Sequence, residues 1–177
     1  MPKSPKARRA DLLSPEVKEY VAENMKERIY ATITLLALIV ALWKTAGDHT
    51  AGGSVASIIG TVTALWLATL ISSRISHRAV HGKSMASRDL GRLAFTSSGL
   101  FVPAIVPTLL IMASLTTFIS LKTAFMASIV ALLLSLFLLS FTAGRRIYTS
   151  PVRLIVVSTA EMAIGIGVIL LKLAIGE

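Results

Sequence analysis

Cysteine is absent from this 177-residue chain, which excludes disulfides, thiolate nucleophiles, iron–sulfur clusters and cysteine-ligated zinc. Charge is scarce. Asp, Glu, Lys and Arg make up 15% of residues, against about 25% in an ordinary soluble domain. Most of what charge there is stands near the start, with 12 of the 27 charged residues among the first 28. Acidic residues are half as frequent as basic ones, giving a formal net charge of +9. Aromatic residues reach only 6%, and no basic stripe is interleaved with them. The positive balance therefore does not describe a nucleic-acid surface.

What is present is apolar sequence in long runs. Hydrophobic residues make up 54% of the chain and mean hydropathy is +0.76. A helix needs about 20 apolar residues to cross ~30 Å of hydrocarbon, and five runs approach or exceed that length: 29–46, 54–73, 93–121, 123–143 and 154–175. The runs are continuous rather than alternating, so they read as helices and not as barrel strands. Lysine and arginine set the orientation. Fifteen lie before the first run or in the connectors after the second and fourth, and only Lys44, Lys122 and Lys172 lie on the other side. The positive-inside rule then expects five spans, with the N-terminus in the cytoplasm and the C-terminus outside. The fold class is an all-α, multi-pass helix bundle of the plasma membrane, occupying 29–177.

Before the bundle, residues 1–13 read as a disordered basic tail, held near anionic lipid at the cytoplasmic face. Residues 14–28 read as a cytoplasmic amphipathic helix, with Ser14 at its N-cap and Pro15 at its first position. Val17, Tyr20, Val21, Asn24 and Met25 recur at helical spacing, and Lys18, Glu19, Glu23, Lys26 and Glu27 fall on other faces. The charged region is too long for a cleaved signal peptide.

Lipid tails are as apolar as leucine, so helices in a bilayer associate by close packing of small residues and by polar contacts. Gly60, Ala64, Ala68 and Ser72 form one small-residue stripe in the second run, and Thr159, Ala163 and Gly167 another in the fifth. Both are expected at helix–helix contacts inside the bundle. The leucine-rich fourth run is expected to face lipid on most sides. The third run is longer than a straight span requires, and Pro103 and Pro107 in its first half predict a kink around residues 104–108.

Glu161 is the residue that points most directly to chemistry. It lies eight residues into the fifth run from Arg153, about 12 Å at ~1.5 Å per residue, and so near mid-membrane. A charged carboxylate at that depth costs about 2.5–3.5 kcal/mol on insertion scales and must pair, protonate or face water. Ser158 and Gly165, about one turn away, leave room for a partner. With Pro103 and Pro107, Glu161 outlines a transport path for a cation or proton; paired across an interface, it describes a homo-oligomer or larger assembly instead. His77 and His81 share a helix face, but the intervening glutamate of a zinc-binding H-E-x-x-H motif is missing. No histidine lies within a run, and no nucleophile elbow or phosphate-binding loop occurs. Neither a catalytic activity, a cofactor nor a metal site is expected.

The last hairpin contains Leu136, Phe137, Leu138 and Leu139, then Gly144, Arg145 and Arg146, then Ser150, Pro151, Val152 and Arg153. In this order, and in its five N-in spans, the chain resembles the vacuolar iron transporter family. The resemblance implies a five-helix transporter fold. Members of that family carry an acidic residue in the first span and a glutamate-rich insert after the second. Here 29–46 contains no acid and the connector contains one, Asp89, so no metal ligand is carried over. Two functions follow as expectations: a small cation or proton-coupled transporter, or a non-catalytic membrane subunit that binds other membrane proteins.

Overall fold

The computed structural model describes residues 15–116, 119–145 and 150–175, with side chains from residue 23 onward. The tail 1–13 and the N-cap Ser14 lie outside the described residues. Apolar runs interrupted by glycine, serine and proline fold as helices, and no strand occurs among the described residues. The helices are α1 (Pro15–Lys44), α2 (Ala51–His81), α3 (Ser87–Thr96), α4 (Val102–Ala113), α5 (Leu121–Gly144) and α6 (Pro151–Ile175). Two 3₁₀ segments, Ala46–Asp48 and Ser97–Phe101, complete them.

Local chemistry sets several of these ends. Thr50 caps α2 by accepting the Gly53 amide at 3.1 Å, and Ser120 caps α5 by accepting the Thr123 amide at 3.1 Å. At the other end of α2, Gly82 takes φ +64°, a left-handed conformation open to glycine, and its amide closes on Arg78 O at 2.9 Å. No stop signal stands before Gly82. The helix therefore runs through Arg74, His77 and Arg78, well beyond the apolar run 54–73, and the basic residues of its last turn suit the negative end of the helix dipole.

Four segments are long and apolar enough to cross a membrane: Ala51–His81, Ser87–Ala113, Leu121–Gly144 and Pro151–Ile175. The chain is thus a multi-pass membrane helix bundle. Helix α1 is more charged, with Glu27 and Arg28 before its apolar stretch and Lys44 at its end. It nevertheless lies at the centre, in contact with α2, α4, α5, α6 and the second 3₁₀ segment. From residue 29 to residue 44 only Tyr30, Ala41 and Lys44 are exposed. Leu35, Leu36, Ile39 and Val40 are buried together with Ile58, Val62, Ile111, Phe125 and Leu132 from the surrounding helices. A helix apolar on nearly all sides is one with neighbours on nearly all sides.

Helix α4 is continuous across Pro107, and the third run leaves the α-helical pattern in the 3₁₀ turn Ser97–Phe101, just ahead of residues 104–108. Pro103 has no amide to donate to Gly99 O, and its ring crowds that carbonyl, so the α-ladder fails one turn upstream of the ring. The fourth run does not face lipid on most sides: α5 packs against α1, α4 and α6. Its buried face is Ala124, Ser128, Leu132, Leu136, Ser140 and Gly144, one residue per turn. Finally, the two small-residue stripes are not inside the bundle. Gly60, Ala64, Ala68 and Ser72 are all exposed on α2, and Thr159, Ala163 and Gly167 are all exposed on α6.

Candidate functional site

On α6 the inward face is Leu154, Ser158 and Gly165, with Glu161 half-buried between the last two. The space that Gly165 opens is already filled. A Cβ there would lie 2.9 Å from Leu133 Cδ2, 3.2 Å from Leu136 Cδ2 and 3.5 Å from Leu36 Cδ2. Three helices therefore meet at this glycine, and the room beside Glu161 is occupied by leucine side chains. Among the described residues Glu161 makes no hydrogen bond or ion pair. One turn away, the Ser158 hydroxyl is fully buried and also has no partner. Glu161 and Ser158, about one turn apart on one helix face, are thus both without a partner among the described residues.

Pro103 and Pro107 are both buried, on the inner face of α4. They contribute to the wall of the bundle and lie on a different helix from Glu161. Most other buried hydroxyls are satisfied within their own helices: Thr32 donates to Arg28 O at 2.7 Å, Ser54 to Thr50 O at 2.9 Å and Ser128 to Ala124 O at 2.7 Å. The interior around α1 is otherwise filled with leucine, isoleucine and phenylalanine.

His77 and His81 project from the last two turns of α2 with their rings stacked, centroids 4.4 Å apart and planes 20° apart. His81 Nδ1 lies 3.2 Å from His77 O, an intrahelical contact. No group of three histidine or carboxylate side chains comes together among the described residues.

A polar cluster stands at the N-terminal end of the apolar stretch of α1, with Glu27 and Ser97 buried in it. The Ser97 hydroxyl donates to Glu27 Oε1 at 2.8 Å, and Asn24 Nδ2 donates to Thr96 O at 3.1 Å. Glu27 is only 4% exposed, and its Oε2 has no partner. Gly99 is glycine for a steric reason, since a Cβ would stand 2.7 Å from Asn24 Nδ2. Helix α1 thereby holds the start of the 3₁₀ turn, through Asn24 on Thr96 just before it and Glu27 on its first residue, Ser97. Glu27 stands two residues before the apolar stretch of α1. Burial pushes its carboxyl above the usual carboxylate range, outweighing the Ser97 hydrogen bond that pulls it down. The signal for this cluster was available: Asn24 and Glu27 continue backwards, at helical spacing, the buried series Ala31 and Leu35.

No protein-family model matches the chain, and no curated protein or solved structure matches it either.

Proposed function

We propose that this is a five-span plasma-membrane protein, N-terminus in the cytoplasm and C-terminus outside, acting without catalysis as a subunit or assembly factor that binds other membrane helices, its own second copy included. The observation that carries the reading is the outward placement of both small-residue stripes, on α2 and on α6. Small residues every fourth position let a neighbouring backbone approach closely. The unpartnered Glu161 supports it, because a half-buried carboxylate at mid-membrane depth gains most from a donor on another chain. The burial of α1 among four membrane-length helices supports its counting as the fifth span. The span order that resembles the vacuolar iron transporters accords with this layout, without that family's acidic ligands.

Transport of a cation or a proton-coupled solute is the second reading. The nearness of Glu161, about one turn along α6, to the buried, unpartnered Ser158 favours it, with Pro103 and Pro107 buried on α4. The leucine-filled interior favours assembly. The test is an Ala64→Cys variant, cross-linked in native membranes, beside liposome flux of divalent cations and protons for wild type and Glu161→Gln. Cross-links through Ala64→Cys, lost when Ala68→Trp is added, are the expected result. An absence of cross-links, with ion flux that Glu161→Gln abolishes, replaces the assembly reading with transport.

A further inference from the structure

Between α4 and α5 the surface of the bundle is indented by a groove of about 480 Å³. Its walls are apolar and open to the outside: Val102 and Val106 on one side, Leu134 and Leu138 on the other. Along α5 it runs from Thr142 to Ala131, eleven residues or about 16 Å at ~1.5 Å per residue. That is close to half of a ~30 Å hydrocarbon core, the depth of a single leaflet. At the end marked by Thr142 the lining includes Arg28 of α1. Its Nε is buried and has no hydrogen-bond partner, and the lining contains no carboxylate to neutralise it. The adjacent acid, Glu27, is turned to Ser97.

An apolar trough one leaflet deep, with an uncompensated guanidinium at its interfacial end, has the shape and charge of a lipid site. We propose that this groove holds one anionic phospholipid, its phosphate on Arg28 and one acyl chain lying along α4 and α5. Guanidinium groups bind phosphate oxygens in a planar, bidentate manner, and basic pockets between membrane helices select anionic headgroups. A zwitterionic lipid would carry its ammonium toward the Arg28 end of the groove, with Arg145 one turn beyond Thr142 on the same helix, and is therefore disfavoured. The inference rests on the proposed orientation only for the leaflet, which is the cytoplasmic one.

The test is native mass spectrometry of the full chain released from mild detergent after equilibration with equal amounts of phosphatidylglycerol and phosphatidylcholine. Wild type is expected to retain one phosphatidylglycerol per chain. Arg28→Gln should lower that retention about tenfold, the loss of one charge-assisted hydrogen bond, and Arg28→Lys by less. Leu134 is 53% exposed, so Leu134→Trp obstructs the groove without disturbing the core and should lower retention with Arg28 intact. Arg74→Gln, on the cytoplasmic extension of α2, should leave it unchanged. Equal retention of the two lipids, a variable number of lipids per chain, or full retention by both Arg28→Gln and Leu134→Trp overturns the proposal. So does displacement by inorganic phosphate alone, which would mark a site for the free anion. The lipid count is taken per chain, so failure of copies to pair leaves it unaffected.

Discussion

At the scale of single residues, a carboxylate two positions ahead of an apolar stretch is ordinarily a solvated helix-entry charge, and Glu27 is instead enclosed between α1 and the 3₁₀ turn. Because its proton is held more tightly in the fold than in the unfolded chain, its contribution to stability is fully present at pH below the ordinary carboxylate pKa. That contribution is lost as pH rises through the raised value. Thermal unfolding in detergent should accordingly show wild type gaining stability on mild acidification. Glu27→Gln keeps an acceptor for Ser97 and cannot ionise, so its profile should be flatter and its stability at neutral pH higher. A variant that melts lower than wild type at pH 7, with the same pH slope, would mean that Glu27 is ionised and stabilising. Sequence pattern alone could order the residues of 14–28 around a helix. Helical spacing from Ala31 and Leu35 points to the face that holds Asn24 and Glu27, but not to what covers it, because that depends on where Ser97 arrives from 70 residues away.

At the scale of elements, the apolar runs and their order were legible, since each run's length is dictated by the hydrocarbon it must cross. Phase was not. A stripe of small residues marks a surface suited to close approach, yet on α2 and α6 those surfaces turn outward, and α6 makes its contacts through Leu154, Ser158 and Gly165. On α5 the contact face hides among leucines, because one residue per turn is buried while leucines of similar character point to lipid. Gly165 and Gly167 separate the two cases on one helix. A Cβ at Gly165 meets Leu133 and Leu136, whereas at Gly167 nothing lies within 4 Å. Gly165→Leu should therefore lower thermal stability by about 1–3 kcal/mol through overpacking, with Gly167→Leu near neutral in the monomer. Equal losses for both would contradict the packing of α6 described above.

At the scale of the whole molecule, the absence of cysteine is experimentally useful, because any introduced thiol is unique. Gly47→Cys, in the turn between α1 and α2, should react with a membrane-impermeant maleimide on intact cells. Ser84→Cys, between α2 and α3, should react only after lysis. The reverse pattern would invert the bundle, and reaction of both from outside would remove α2, which lies between them, from the spans.

The central position of α1 carries a consequence for biogenesis. The helix made first is the least suited by charge to remain in lipid alone, and the partners that enclose it are synthesised afterwards, α6 last of all. Its enclosure is therefore completed only by sequence far downstream, where Gly165 of α6 packs against Leu36. A ribosome paused before α6 leaves Leu36 without the helix that closes over it at Gly165.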